Sequence, residues 1–303
     1  MIMVNAMVFT FRPVSKRLNA PSKTPWNIFV NAFDLVFSLR GIGWDFIENP
    51  HLPPNPGAGL SRPMFVLYGL ASNLYNLTMF DICVYITQSL GPDTFASPQG
   101  GSLYDPSRSP IFNYARASLV TALWVPVMMY GTLMCYVSLS VVAVGVFGQS
   151  PSQWPPLYHN PFLSTSLSEF WGKRWQQMFR IDFHYAVSYP LSLVFGRVGY
   201  VLGAFALSAW IHFSAVEAIG KGTYHEVNVT FMMMGIGVLL ENLWKKITGR
   251  KPSGLWGRLW TASWCLFWTI PYMDALARVG YMGSEFLPHE IRPTTLLFGL
   301  FGR

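Results

Sequence analysis

The chain has 303 residues, of which 51% are hydrophobic and only 12% are charged. That charged fraction is about half of what soluble globular proteins carry, which excludes an ordinary water-soluble domain and indicates a polytopic membrane protein. The net charge of +7 could suggest nucleic acid, but the basic residues lie in separate groups between apolar segments. This distribution is typical of membrane topology, and we predict no nucleic-acid partner.

The opening residues Met1–Phe11 are only weakly apolar. Arg12, Lys16 and Arg17 follow the opening residues without a small-residue cleavage site, so we expect no cleavable signal peptide. Proline and glycine are frequent in Pro50–Pro63, which excludes regular structure there. We predict a single domain over residues 1–303, with an interfacial and loop region over 1–63 and a transmembrane core over 64–303.

Several segments are apolar and long enough to cross about 30 Å of hydrocarbon. They are Met64–Leu90, Ala117–Phe147, Tyr189–Ile219, Val227–Trp244 and Leu255–Val279. The predicted fold is an all-α polytopic membrane bundle with about five to eight transmembrane helices and a short amphipathic interfacial helix. The second and third segments are long enough to be broken, and Pro126, Gly196, Gly199 and Gly203 are the residues where we expect a break.

The basic groups support this number of spans. One group precedes the first span, another precedes the third, and a third separates the fourth from the fifth. All of them fall on the cytosolic side if every segment crosses the bilayer, as the positive-inside rule requires. The cysteines, Cys83, Cys135 and Cys265, lie in apolar segments without a CxxC pair or a nearby histidine cluster, so we predict no metal site.

A charged, tryptophan-rich stretch precedes the third span. It runs from Ser166 to Arg180 as Ser-Leu-Ser-Glu-Phe-Trp-Gly-Lys-Arg-Trp-Gln-Gln-Met-Phe-Arg, and we call it the cassette. Ser166 followed by Glu169 is a helix-start pattern, and we predict an amphipathic helix over Leu167–Phe179. Residues 171, 175 and 179 would share its apolar face.

Two interpretations of the cassette remain open at this point. It could be an interfacial anchor, because Trp, Lys and Arg are the usual residues at the depth of the lipid headgroups. Alternatively, Lys173 and Arg174 could bind the phosphates of a charged acyl donor such as coenzyme A.

A single histidine, His212, lies well inside the third apolar segment. It could simply form a hydrogen bond with a neighbouring helix. A neutral imidazole at membrane depth could also take a proton from an alcohol, which is what an O-acyltransferase needs. Ser208, four residues earlier, shares the face of His212 and could support it by a hydrogen bond. Asp81 lies in the first span, where a charged side chain is energetically costly. It could line an internal cavity together with His212.

These residues together resemble a known family. The cassette is similar to the signature of the wax synthase-like branch of the membrane-bound O-acyltransferases, and Ser208-Ala-Trp-Ile-His212 resembles the segment with the catalytic histidine of that superfamily. Ser38-Leu-Arg-Gly-Ile-Gly-Trp44 is similar to an upstream element of fungal members. The family usually has Asn or His after the second cassette tryptophan, where this chain has Gln176.

The resemblance implies transfer of an acyl group from acyl-CoA to a hydrophobic alcohol within the lipid bilayer, with no cofactor beyond the acyl-CoA co-substrate. His212 and Gln176 would be catalytic. The residues Trp171, Lys173, Arg174, Trp175 and Ser208 would bind substrate, with the cassette lining a cytosolic opening. The expected protein is an acetyltransferase of fungal terpenoid or meroterpenoid biosynthesis in the endoplasmic reticulum membrane.

Three alternatives remain from the sequence. A wax ester synthase would use long-chain acyl-CoA and fatty alcohols. A transporter would use Asp81, Arg197, His212 and Glu217 as a polar pathway, but the paired, symmetric halves typical of transporters are not visible. A terpene cyclase would place carboxylates, rather than His212, at its centre.

Overall fold

A computed structural model describes residues 24–37, 40–45, 52–220 and 222–301. Within these ranges the chain forms helices joined by turns and loops, and it contains no β-strand. The predicted all-α class is therefore confirmed. The opening segment through Arg17, on which the signal-peptide prediction rests, lies outside the described residues, as do Ser38 and Leu39 of the upstream element.

Each predicted span corresponds to one helix of the structure. The principal helices are α1 (Pro25–Phe37), α2 (Arg62–Ser89), α3 (Pro110–Gly145), α4 (Tyr189–Ile219), α5 (Glu226–Thr248), α6 (Gly254–Arg278) and α7 (Pro293–Phe301). The spans predicted from the sequence coincide with α2 to α6.

Three stretches of the described chain are long and apolar enough to cross a membrane. They are Pro110–Gly145, Arg180–Ile219 and Glu226–Thr248, with mean hydropathies of 1.8, 1.6 and 1.3. These helices suggest integration into a membrane, as the composition predicted. Crossings by α2 and α6 stay predictions.

The break expected in the third span occurs at Gly196. Its φ of 56° and ψ of −140° are accessible to glycine and not to residues with a side chain. A Cβ atom at Gly199 would lie 2.3 Å from the Leu191 carbonyl oxygen, and one at Gly203 would lie 3.2 Å from a methyl group of Val187. The segment before Gly196 therefore folds back onto these two glycines, which allow the close approach. The break expected at Pro126 is wrong, because α3 continues through this residue.

The described chain forms two compact units, each assembled from three separate segments. Unit 1 comprises the described residues within 1–66, 142–207 and 235–261, and unit 2 comprises those within 67–141, 208–234 and 262–303. The cassette belongs to unit 1, whereas His212 and Ser208 belong to unit 2. The single domain predicted over 1–303 stays a prediction.

Unit 2 has an extended apolar core. Its fully buried side chains include those of Phe95, Leu103, Val120, Trp124, Val127, Ile270 and Met282. The loop between α2 and α3 is attached to this core through Asp274 of α6, which accepts hydrogen bonds from the Ser102 hydroxyl at 2.8 Å and from the Leu103 N–H at 2.7 Å.

Asp81 has a structural role in unit 2 instead of the predicted place along a cavity. Its carboxylate is 2% exposed and accepts hydrogen bonds from Arg292 Nε and the Thr294 N–H, each at 2.8 Å, and from the Thr294 hydroxyl at 2.6 Å. The buried charge is therefore paired and solvated by the start of α7. Asp81 fixes this C-terminal helix to α2.

Candidate active site

His212 lies in the second half of α4, where it is packed by aromatic rings of unit 2. The Phe231 ring of α5 stacks on the imidazole with centroids 4.1 Å apart and an interplanar angle of 27°. The Tyr272 ring of α6 meets it edge-on at 5.5 Å and 88°. Phe231 is 6% exposed, whereas the histidine is half-buried. The packing leaves the ring little freedom to rotate.

A single hydrogen bond fixes the tautomer of this imidazole. His212 Nδ1 lies 2.8 Å from the Ser208 carbonyl oxygen. Because a carbonyl oxygen can only accept, Nδ1 must carry the hydrogen of the neutral ring. Nε2 then holds the free lone pair, so the basic nitrogen is the one that points away from the helix backbone.

Ser208 therefore supports His212, but through its backbone. The sequence placed the two residues on one face and suggested a hydrogen bond between them. The carbonyl oxygen makes this bond, and the serine hydroxyl does not. Any residue at position 208 would supply the same carbonyl oxygen.

The helix of the cassette begins at the predicted residue and ends earlier than predicted. Ser166 is the N-cap, and its hydroxyl accepts a hydrogen bond from the Glu169 N–H at 3.1 Å. One turn of α-helix over Leu167–Glu169 continues as a π-helical turn over Phe170–Arg174. Trp175 is extended, with φ of −68° and ψ of 164°. The continuous helix predicted over Leu167–Phe179 is therefore wrong, because its hydrogen bonding shifts to the wider π pattern and then stops.

Three aromatic side chains of the cassette, those of Phe170, Trp171 and Trp175, form one cluster in unit 1. The Trp175 ring stacks on Phe170 at 5.2 Å and contacts Trp171 at 5.9 Å. Tyr158 meets Trp175 edge-on at 5.1 Å, and Phe205 of α4 meets Trp171 at 5.7 Å. The cluster thus contains both tryptophans that the sequence assigned to substrate binding. Phe179, predicted to share their face, stacks on Phe183 instead.

Lys173 and Arg174, the two basic residues of the cassette that were predicted to bind the donor, differ in their surroundings. Arg174 Nε donates to Glu169 Oε1 at 2.7 Å, and its Nη1 donates to the carbonyl oxygens of His159 and Asn160 at 3.1 and 3.3 Å. Arg174 is thus bound within the cassette, whereas Lys173 is exposed, as is Arg180 at the end of the cassette.

Glu169 is electrostatically adapted to its position in the cassette. Burial alone would raise the pKa of its carboxyl, but hydrogen bonds from the Thr165 N–H and from Arg174 outweigh burial and lower the pKa below its usual value. The Thr165 N–H donates at 2.8 Å. The Glu169 carboxylate therefore stays charged at neutral pH.

Two adjacent glutamines end the cassette. Gln176 Oε1 accepts a hydrogen bond from the Met178 N–H at 2.8 Å, so its amide oxygen closes a local turn. Gln177 Nε2 donates to the carbonyl oxygens of Trp171 and Trp175, both at 2.9 Å. Gln177 therefore satisfies the end of the π turn. The sequence singled out Gln176 and missed the role of its neighbour.

The structure also identifies Glu241 of α5, which sequence reasoning missed. Its carboxylate is 5% exposed and accepts hydrogen bonds from the backbone N–H groups of Leu167 and Ser168 at 2.6 and 2.9 Å. Trp260 Nε1 donates to the same carboxylate at 2.9 Å. The available signal was an ionisable residue inside a predicted span, which is costly unless it has partners.

No group of three or more His, Cys, Asp or Glu residues that could hold a metal ion occurs in the ranges that the structure describes. Independently of this finding, the free lone pair on His212 Nε2 can accept a proton.

Comparison with known proteins agrees with these features. The model of the membrane bound O-acyl transferase family matches residues 154–235, a range that contains both the cassette and His212. No solved structure shows significant similarity to the chain.

Several fungal proteins are similar over most of the chain. Acetyltransferase atnC of Arthrinium sp is 24% identical over 313 residues, which cover 93% of this chain and 71% of the relative. Acetyltransferase ataH of Aspergillus terreus is 25% identical over 77% of this chain and 84% of the relative. Acetyltransferase eriL of Hericium erinaceus is 23% identical over 94% and 76%, respectively. These matches support an O-acyltransferase enzyme that is similar to the membrane bound O-acyl transferase family over residues 154–235 and to fungal acetyltransferases over most of its length.

Proposed function

We propose that this protein transfers an acyl group, most readily acetyl, from acyl-CoA to a hydroxyl group of a hydrophobic terpenoid or meroterpenoid natural product. The reaction would take place in the endoplasmic reticulum membrane. The observation that carries the proposal is the hydrogen bond from His212 Nδ1 to the Ser208 carbonyl oxygen, because it leaves Nε2 as a base. The names of the fungal relatives favour acetyl as the acyl group.

In the proposed reaction, His212 Nε2 accepts the proton of the alcohol while the alcohol oxygen attacks the thioester carbonyl carbon. The new C–O bond forms, the C–S bond breaks, and the imidazolium returns the proton to the CoA thiolate. The products are an ester and CoA, and the histidine is regenerated. General base catalysis of this kind contributes about 10²-fold to 10⁴-fold in rate.

The cassette would bind the acyl-CoA donor through Lys173. This ammonium group is exposed, and phosphate groups are the chemistry that it would recognise. Arg174 would act indirectly, because its guanidinium is bound to Glu169 and to two backbone carbonyl oxygens. Trp171 and Trp175 would shape the apolar side of the same region.

The buried carboxylates do not favour the two other classes of function. The buried acidic residues in the described part of the chain, Asp34, Asp81, Glu241 and Asp274, all accept hydrogen bonds from named donors. A terpene cyclase needs a protonated acid that can donate, and a transporter needs an ionisable group that can change partners. Carboxylates that are bound in this way are suited to neither task.

The proposal is tested with microsomes that contain the protein and isotope-labelled acetyl-CoA. An extract of the producing strain from which this protein has been deleted supplies the candidate alcohols. We expect one labelled ester to appear, identical to a metabolite that the deletion strain lacks. Absence of any labelled ester would contradict acetyl transfer. An ester formed only from long-chain acyl-CoA and a fatty alcohol would identify a wax ester synthase instead.

A further inference from the structure

We propose that Glu241 is a positioning residue that holds the cassette in the conformation that binds acyl-CoA. This role rests on the proposed acyl transfer and extends it to a residue of α5, outside the cassette. It requires no contact between Glu241 and the donor.

The carboxylate of Glu241 joins three parts of unit 1. Oε1 accepts from the Leu167 N–H at 2.6 Å and from Trp260 Nε1 at 2.9 Å. Oε2 accepts from the N–H and the hydroxyl of Ser168, both at 2.9 Å. Helix α5 supplies the carboxylate, α6 supplies the indole, and the cassette supplies the remaining donors. None of the four donors is cationic.

These hydrogen bonds satisfy backbone N–H groups at the start of the cassette helix. The first N–H groups of a helical segment have no partner inside the helix. Leu167 is fully buried, so water does not reach its N–H group. The Ser166 cap satisfies the Glu169 N–H, and Glu241 satisfies the two N–H groups before it. Without the carboxylate, the first turn would lose these bonds or move toward water.

Close backbone packing confines the same region on a second side. A Cβ atom at Gly257 of α6 would lie 2.3 Å from the Thr165 carbonyl oxygen. The residue before Ser166 is thus pressed against the start of α6, and Trp260 of the same helix donates to Glu241. The entry to the cassette is therefore fixed in position by packing and by hydrogen bonds.

The connection to donor binding runs through the short cassette helix. Lys173 lies in the π turn that follows Leu167–Glu169 directly. A shift of the first turn would displace the ammonium group relative to the phosphates that it recognises. Loss of Glu241 should therefore weaken acyl-CoA binding while the chemistry at His212 of unit 2 continues.

Glutamine is the informative substitution, because it has the same shape as glutamate. Its single amide oxygen can replace one carboxylate oxygen, but its NH₂ group would face hydrogen-bond donors. We expect Glu241→Gln to raise KM for acetyl-CoA about tenfold, with kcat per folded enzyme and KM for the alcohol within about twofold of the wild type. An effect on folding alone would lower the amount of active enzyme and leave KM unchanged, and that result would overturn the proposal.

Two further variants control the experiment. Asp81→Asn also changes a buried carboxylate to an amide, but in unit 2, and we expect it to lower thermal stability without changing KM for acetyl-CoA. If Glu241→Gln does not fold, Ser168→Ala removes one donor from an exposed residue and should raise this KM about threefold. An unchanged KM in Ser168→Ala would then overturn the proposal. A wild-type enzyme that forms no ester would refute the proposed function, and this role with it, whereas active variants with wild-type KM would refute the role alone.

Discussion

The cassette and the surroundings of His212 are held in place by different forces. Polar groups from several parts of unit 1 fix the cassette, with Glu241, Glu169, Arg174 and Gln177 each making two or more hydrogen bonds. In unit 2, His212 has one hydrogen bond and is otherwise packed between aromatic rings. A region that binds a charged donor needs ordered backbone, whereas a base needs a fixed ring with a free lone pair.

The first prediction tests the apolar packing in unit 2. Phe231→Ala should lower the free energy of unfolding by about 3–5 kcal/mol, because it removes a buried ring and leaves a cavity beside the imidazole. Ester formation should fall as well, since His212 loses the ring that stacks on it. Thermal unfolding in detergent measures the loss of stability. The control is Phe179→Ala, which removes one ring of a partly buried pair and should lower the free energy of unfolding by less. Equal losses of stability in the two variants would contradict the view that apolar packing matters more around His212 than in the cassette.

The second prediction tests the polar bonding of the cassette. Arg174→Gln should lower the free energy of unfolding by about 1–3 kcal/mol, because it leaves Glu169 and two backbone carbonyl oxygens without their charged donor. The adjacent substitution Lys173→Gln is the matched control. It should leave thermal stability unchanged and raise KM for acetyl-CoA. The reverse pattern would show that Arg174, and not Lys173, is the cation available to the donor.

The third prediction concerns acidic pH. The pKa of Glu169 is lowered from its usual 4.5 in the folded protein, so its charged form stabilises the fold fully above that value. This contribution disappears as the pH falls through the lowered pKa. The stability difference between the wild type and Glu169→Gln should thus be present at pH 7 and shrink below about pH 4.5. A difference that is independent of pH would contradict a role for the charge.

The fourth prediction is the smallest effect. Ser208→Ala should keep ester formation within about twofold of the wild type, because the backbone carbonyl that fixes His212 is retained. Initial rates at saturating acetyl-CoA measure it. A loss of tenfold or more would show that the hydroxyl group takes part.

Local sequence patterns predicted much of this structure. Hydropathy located α2 to α6, the Ser166 pattern located the start of the cassette, and Gly196 located the break in α4. Each of these features depends on residues that are close in sequence. His212 was noticed for a similar reason, since a single histidine deep in an apolar segment is conspicuous.

The features that were missed depend on residues far apart in sequence. Glu241 and Leu167 are separated by 74 positions, and Asp81 and Arg292 by 211. No local pattern pairs them. The predicted helix over Leu167–Phe179 was wrong for a related reason, because aromatic contacts with Tyr158 and Phe205 accompany an extended Trp175 that periodicity alone does not indicate.

The most direct test of the central claim is transfer of labelled acetyl by a histidine variant. His212→Ala should lower kcat by about 10²-fold to 10⁴-fold while equilibrium binding of CoA stays within about twofold of the wild type. His225→Ala, at an exposed histidine of unit 2 that stacks on Phe213, is the control and should retain full activity. Ester formation by His212→Ala at the wild-type rate would contradict the assignment of His212 as the base.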